Sequence, residues 1–279
     1  MPEKPEVITV AKSLERSLIG RKIQKVEVYY ENIIAYPKVE AFQKELAEET
    51  IEQIDTRGKW LVFTLSSKIL LVHLRMEGKF LFRPIGSPRS KHEHVSFFLN
   101  NDMEWRYHDT RKFGRMILYP KEELLDKKPF NELGYEYNDP NLTKEYLFTA
   151  FQKRHIPIKT VLLDQSIIAG IGNIYADEIL FLSRIHPSTL ASSLSKQKCQ
   201  RIVENTKDVL MRAIQLGGTT IHSFSSQEGV HGKFQNELLV HGQKKCPYCQ
   251  TDIKKIYIGG RGTYYCPRCQ RVQRKKVKA

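Results

Sequence analysis

The chain opens Met1-Pro2-Glu3-Lys4-Pro5-Glu6-Val7, and its second residue is the first with unusual chemistry. Initiator methionine is normally trimmed before a small residue such as proline, which leaves Pro2 with a free secondary amine. That amine is a nucleophile toward an aldehyde-level sugar carbon. Its condensation product is an iminium ion, positively charged without a proton, and covalent amine catalysis requires an electron sink of that kind. Glu3 is the adjacent acid. Glu6 is the next carboxylate, just inside a helix that Pro5 is suited to start and whose positive end suits carboxylates. The same residues are also an ordinary helix-start signature, and alone they do not separate the two uses.

A second chemical group lies near the other end. Cys246-Pro-Tyr-Cys249 and Cys266-Pro-Arg-Cys269 enclose residues 250–265. Two C-x-x-C pairs at this spacing place four thiolates for a tetrahedral zinc site on a hairpin ribbon. Four protein ligands close the coordination sphere, so one structural Zn2+ is expected and not a catalytic one. Between the pairs, Gly259-Gly260-Arg261-Gly262 permits a tight turn. Arg261 there is either suited to a phosphate or a solvated turn arginine. The fifth cysteine, Cys199, falls in a helical apolar pattern and reads as a buried thiol.

Three glycine-bounded stretches complete the set. Ala169-Gly170-Ile171-Gly172-Asn173 runs into a helical pattern, so its backbone N–H groups and the Asn173 amide are placed to hold a phosphate, or simply to cap the helix. His73-Leu-Arg75-Met76-Glu77-Gly78 and Asp109-Thr-Arg111-Lys-Phe113-Gly114 each follow an apolar strand pattern and end in glycine. Each puts a cation and a large apolar side chain at a strand end. A DNA-bending enzyme uses that pairing as a wedge and a base reader; an ordinary hairpin uses it as core.

The elements that must carry these groups follow from periodicity. Residues 5–19 have helical spacing that Gly20 stops. Val26, Val28 and Tyr30 then alternate, and short runs follow at Trp60–Leu65, Ile69–Leu74, Lys79–Phe82, Val95–Leu99, Met103–Tyr107 and Arg115–Tyr119, interrupted by a helical segment at Val39–Leu46. Many short strands between Gly, Pro, Asn and Ser suggest an antiparallel sandwich or barrel. A polar, irregular stretch at 120–142 marks a boundary. Beyond it, helices are expected at Lys144–Phe151, Lys159–Leu163, Ile174–Leu182 and Ser195–Leu216, then an aperiodic loop at 219–232 and a strand-like piece at Glu237–His241.

Composition narrows the partner. With 45 Lys+Arg against 31 Asp+Glu, a formal charge of +14, the chain favours an anion, and nucleic acid is the first candidate. A hydrophobic fraction of 41% is ordinary for buried cores. No apolar run approaches the ~20 residues of a membrane span, and no secretory signal pattern opens the chain.

Taken together, the motifs resemble the bacterial formamidopyrimidine-DNA glycosylases. The resemblance runs from Pro2 to Cys269 and rests on the Pro-Glu start, Arg57-Gly58-Lys59, the 73–78 and 109–114 stretches, Ile168–Asp177, Phe234-Gln-Asn-Glu-Leu and Gly259–Cys269. It implies an α+β multidomain chain: an N-terminal antiparallel β-sandwich with a leading helix (1–130), a helical helix–two-turn–helix domain (131–235), and a zinc ribbon with a basic tail (236–279). It also implies removal of 8-oxoguanine and ring-opened purines from duplex DNA, with cleavage of the abasic strand by β,δ-elimination. By that resemblance Pro2 is the nucleophile, Glu3 the acid at the sugar ring oxygen, and Glu6 a supporting carboxylate. Lys59, His73, Asn173 and Arg261 hold phosphates, and Lys159 joins the DNA-binding set. Met76, Arg111 and Phe113 fill the space left by an everted nucleotide, which must leave the stack before C1′ can be attacked. The implied protein is a bacterial cytoplasmic, nucleoid-associated monomer without a membrane partner.

Four positions depart from the family pattern: Lys4 for leucine, Ile8 for glutamate, His222 for arginine and His241 for tyrosine. His222 flanks the loop that in this family covers the lesion, so base preference is what it puts in question. Two competing readings are an endonuclease VIII-like enzyme for oxidised pyrimidines and a non-catalytic damaged-DNA-binding protein. Arg111-Lys-Phe113 and the Arg57-Gly58-Lys59 context favour the purine enzyme. The retained Pro2, Glu3, Glu6 and Lys59 disfavour a pure binder.

Overall fold

The computed structural model describes residues 1–219 and 232–271. Its chain divides into two compact units, Met1–Asn131 with Gly217–Lys233, and Glu132–Leu216 with the segment from Phe234 onward.

The first unit begins with helix α1 (Lys4–Leu18). Its Val7, Val10, Ala11, Leu14 and Leu18 fall on one buried stripe, as their three- and four-residue spacing dictates. Two sheets follow. One orders β1 (Ile23–Val28), β7 (Glu93–Leu99), β8 (Met103–His108) and β6 (Lys79–Pro84). The other orders β2 (Ile34–Tyr36), β9 (Arg115–Pro120), β5 (Lys68–His73), β4 (Trp60–Leu65) and β3 (Ile51–Arg57). All pairings are antiparallel except the short β2–β9 pair. Residues of both sheets, of α1 and of helix α2 (Val39–Leu46) share one core, with Phe63, Phe80, Phe97 and Trp105 in ring contact at its centre. The antiparallel sandwich expected from many short strands is present.

β3 has no alternating signature because its register shifts between Ile51 and Gln53. The bulge leaves Ile51 and Ile54 as its fully buried apolar residues, three apart, and disguises the period of two.

In the second unit, helices α3 (Lys144–Gln152), α4 (Ile158–Leu162), α5 (Asn173–Leu182) and α6 (Lys196–Gln215) surround a second core built on Phe151, Tyr175, Ile179, Leu180 and Ile202. A hairpin, β10 (Lys254–Ile258) and β11 (Arg261–Tyr265), forms the ribbon after it. Residues Glu237–His241, expected as strand-like, are not a strand; Glu237 ends a 3-10 turn that starts at Phe234. Three successive N–H groups, of Leu239, Val240 and His241, instead donate to the buried Glu178 carboxylate at 2.9, 3.0 and 2.8 Å. An apolar alternation cannot reveal that acceptor, which lies on a distant helix. No helix among the described residues is long and apolar enough to cross a membrane.

Candidate functional site

In the first unit, Pro2 is buried and leads directly into the N-cap of α1, Glu3. Glu3 and Glu6 form a reciprocal capping box in which the Glu3 N–H donates to Glu6 Oε2 at 2.9 Å. The other Glu6 oxygen accepts from Thr219 N at 2.8 Å and Thr219 Oγ1 at 3.1 Å. A carboxylate this deeply buried is tolerated because it is satisfied on both oxygens. Glu6 thus ties the chain start to Gly217–Thr219. Gly218, at φ +78, needs to be glycine, since a Cβ there would lie 2.6 Å from Glu6 Oε1. Gly232 packs against the same glycine, so both ends of the expected 219–232 loop are anchored here. The loop's interior, with His222, lies outside the described residues.

Lys4, one of the four expected departures, is buried and donates to Thr56 O at 3.0 Å and Thr56 Oγ1 at 2.9 Å. Lys4 thus braces the strand that ends at Arg57, just before Gly58 and Lys59. Gly58 turns that corner at φ +56, and Lys59 is held nearly buried just after it. Ile8 is half-buried on α1.

His73 ends β5, its ring edge-on to Trp60 with centroids 4.9 Å apart. Its Nδ1 accepts the Arg75 N–H at 3.0 Å, which places the ring proton on Nε2. Burial first, then the charges of Arg75 and Lys59, push its pKa down to about 3. His73 is therefore a neutral ring with an N–H donor at Nε2, not a cation.

The 73–78 and 109–114 loops share one plan. Arg75 (φ +54) and Lys112 (φ +57) each take a left-handed turn immediately before the large apolar residue, Met76 or Phe113. Each loop then ends on a glycine. Phe113 stands 49% exposed, a side chain that the core would otherwise have claimed, with the Arg111 guanidinium 4.8 Å from its ring centre. The second loop is organised by Asp109, fully buried. Its carboxylate accepts from the N–H groups of Arg111 (3.0 Å), Phe113 (2.9 Å) and Gly114 (2.9 Å). The Asp109 carbonyl in turn lies 2.8 Å from Nε2 of buried His94, whose pKa burial lowers. Sequence reasoning did not single out Asp109, although an Asp two residues before Arg111 is an Asx-turn signal.

In the second unit, Gly259 and Gly260 take φ +55 and +73, the two positive values that a two-residue hairpin turn of this hand requires. Arg261 follows, exposed, its guanidinium without a hydrogen bond or ion pair among the described residues. The Asn173 amide does not cap α5; it donates to Gly262 O at 2.9 Å and clasps the hairpin beside Arg261. Its Oδ1 is buried with no partner among the described residues.

Lys159, expected among the DNA-binding residues, is fully buried. Its ammonium is paired with the Asp177 carboxylate and donates to Asn173 O at 2.9 Å. A cation enclosed in this way does not reach a phosphate; it bears on the site through Asn173 and Asp177. The second Asp177 oxygen takes His241 Nδ1 at 2.7 Å and the Tyr264 N–H at 3.1 Å. Asp177 and Glu178 were missed as site-building residues. Their only sequence signal is an acid pair inside the apolar run of α5.

The four ribbon cysteines fit a metal. Their sulfurs lie within 4.8 Å of one another, with separations of 3.8 Å (Cys246–Cys269), 3.5 Å (Cys249–Cys266) and 3.6 Å (Cys249–Cys269). Zn–S bonds of about 2.3 Å set tetrahedral edges of about 3.8 Å. Without a cation, burial and the neighbouring sulfurs push the Cys269 thiol up to about 12. Four thiolates at this spacing need a dication between them. The cofactor is one structural zinc.

Three family profiles cover this architecture in order: the Formamidopyrimidine-DNA glycosylase N-terminal domain at residues 1–116, the Formamidopyrimidine-DNA glycosylase H2TH domain at 133–225, and the zinc finger found in FPG and IleRS at 243–272. The chain is 43% identical to the formamidopyrimidine-DNA glycosylase of Oceanobacillus iheyensis over 97% of its own length and 98% of that protein's. It is 46% identical to that of Exiguobacterium sibiricum over 98% and 99%. A complex between the Lactococcus lactis Fpg and an abasic-site-containing DNA superposes with a TM-score of 0.90 at 36% identity, covering 97% of this chain and all of that one. A mutant of the same enzyme bound to Fapy-dG-containing DNA gives 0.91 at the same identity and coverage. Fold and site define a DNA-binding repair enzyme with a zinc finger. The chain belongs to the formamidopyrimidine-DNA glycosylase family, whose members are bifunctional glycosylases and abasic-site lyases of base-excision repair.

Proposed function

We propose that the chain excises oxidised purines, 8-oxoguanine and formamidopyrimidines, from duplex DNA and then cleaves the abasic strand through a Schiff base on Pro2. The observation that carries this reading is the pair of buried carboxylates behind Pro2, joined by the capping box and anchored to Thr219. Once Met1 is removed, the Pro2 nitrogen bonds to C1′ as the bond to the damaged base breaks. Glu3 protonates the ring oxygen, and the sugar opens to an iminium ion. The iminium withdraws electrons, so loss of a C2′ proton expels the 3′ phosphate, and a further elimination expels the 5′ phosphate.

Lys59, His73, Asn173 and Arg261 hold phosphates of the strand. The neutral His73 and the amide Asn173 act as N–H donors, Lys59 and Arg261 as charges. Lys159 supports Asn173 from behind. Met76 and Phe113 occupy the space of the everted nucleotide, and Arg111 reads the orphaned base, donating to O2 and N3 of cytosine. The chain works in the three segments 1–130, 131–235 and 236–279, as a monomer, on DNA in the bacterial cytoplasm and nucleoid and not at a membrane.

Intact mass together with borohydride trapping tests this. The mature chain should lack Met1 and form a reducible adduct, mapped to Pro2, on 8-oxoguanine duplexes in preference to oxidised-pyrimidine duplexes. A crosslink on a lysine would overturn the nucleophile. Preference for the pyrimidine lesion would assign the substrate to the endonuclease VIII-like class, and binding without any adduct would make the chain a non-catalytic binder.

A further inference from the structure

The two wedge loops meet at a residue that the proposed chemistry does not use. Tyr107, on β8, is fully buried. A Cβ built on Gly78 would lie 2.2 Å from its hydroxyl, and one built on Gly114 would lie 1.9 Å from it. The final glycine of each loop is therefore required by the same oxygen: the phenol fills the place where either side chain would begin. Gly78 N–H also donates to Leu74 O at 3.0 Å, which closes the first loop over the phenol. The hydroxyl reaches toward Asp109 Oδ2, at 3.5 Å, the oxygen that holds the N–H groups of Phe113 and Gly114. A second tie joins the loops further out, where the Thr110 hydroxyl donates to the Glu77 carboxylate.

We propose that Tyr107, with the Thr110–Glu77 tie, couples the 73–78 and 109–114 loops into one rigid wedge, so that Met76 and Phe113 enter the base stack together. Tyr107 is a positioning residue: it touches neither DNA nor the reacting atoms and acts through the loop bases. Burial and the neighbouring Asp109 raise its pKa well above the usual phenol range, so it remains a neutral donor at working pH. The inference deepens the proposed function, since it rests on Met76 and Phe113 acting as void fillers.

A mutant cycle on the full-length zinc-loaded protein tests it. Excision of 8-oxoguanine from duplex DNA is measured for Met76→Ala, Phe113→Ala and the double variant, with lyase activity on a preformed abasic site as control. Because both side chains serve one insertion step, the double variant should fall roughly tenfold short of the product of the single losses, a coupling of the size contacting groups show. Tyr107→Phe, which removes only the hydroxyl, should bring the cycle toward additivity. Combining it with Thr110→Val should complete the uncoupling, while Thr110→Ser should restore the coupling that Thr110→Val loses. A general loss of stability would scale all variants and leave the coupling intact.

Single variants that lose activity but multiply independently in the wild-type background would overturn the coupled wedge alone. Coupling that persists in Tyr107→Phe/Thr110→Val would overturn the assignment to these residues. Single variants with no effect on duplex excision would remove the void-filling reading and this inference with it.

Discussion

Arg111 and Arg261 both stand exposed beside a tight turn, yet the two turns are held in different ways. The Arg111 loop hangs on one buried carboxylate, Asp109, whose three acceptor contacts all fall within five residues of it. The Arg261 turn is held from far along the chain. Asn173 clasps Gly262, Asp177 takes the Tyr264 N–H, and Lys159 neutralises Asp177. Behind the turn, four cysteines close on a metal. The N–H groups of the Arg111 loop are fixed by an acceptor within their own segment, whereas side chains from distant helices and a metal make the Arg261 turn a fixed post. Under the proposed function, the first arrangement sets the origin of a side chain that reads an orphaned base, and the second that of one that meets a phosphate.

Chelating the zinc breaks the comparison most severely. Structural zinc contributes on the order of 10–16 kcal/mol to small zinc-bound modules, so the ribbon should unfold and DNA affinity collapse. Both tryptophans, Trp60 and Trp105, lie in the first unit. Their emission should stay native during chelation, and a parallel unfolding shift would show that the units do not melt separately.

Lys159→Met comes next. It leaves Asp177 charged and buried, and breaking such a pair costs about 3–5 kcal/mol. Chemical denaturation should show that loss, and adding Asp177→Asn should recover part of it. A loss below about 1 kcal/mol would mean that the pair behaves like a surface bridge and the post is less rigid than its burial implies.

Asp109→Ala should have a smaller effect on stability, about 1–3 kcal/mol for N–H groups left without an acceptor. Its effect on specificity should be larger, because Arg111 loses its fixed origin. Excision opposite each of the four bases should flatten while abasic-site cleavage persists. An unchanged opposite-base profile would show that the loop does not depend on its carboxylate.

The smallest effect is set by His73. Its folded pKa, about 3, lies below the ordinary histidine value of 6.5. The unfolded chain therefore binds the proton first as pH falls, and stability contributed by neutral His73 is present above about pH 6.5 and lost progressively below it. Between pH 6.5 and 5 the loss should be roughly 1.5 kcal/mol. In His73→Asn that part of the slope should disappear. An equal slope in the variant would place the acid sensitivity on other histidines.

Much of the site was legible because local chemistry wrote it. The Gly259-Gly260 turn, the two cysteine pairs, the stripe on α1 and the apolar–polar alternation of residue types in β8 are all consequences of backbone preference or of a two- or 3.6-residue period. The failures are also local in origin. The bulge in β3 broke the period, and Glu237–His241 carried a strand-like pattern without a partner strand. Lys159 was placed in the DNA-binding set by the resemblance, and sequence gives the charge of a side chain and not its burial.

By itself the sequence determined which groups exist and which turns they sit on: a proline amine after Met1, two carboxylates on one helix start, four thiols in two pairs, two wedge loops ending in glycine. Only the tertiary structure decided their partners. Glu6 finds Thr219 across 213 positions, Lys4 finds Thr56 across 52, and Tyr107 becomes the shared stop for two glycines that no local pattern connects. Burial and pairing depend on which distant segments close the core, and that closure fixes His73 as neutral, Lys159 as internal and Arg261 as exposed.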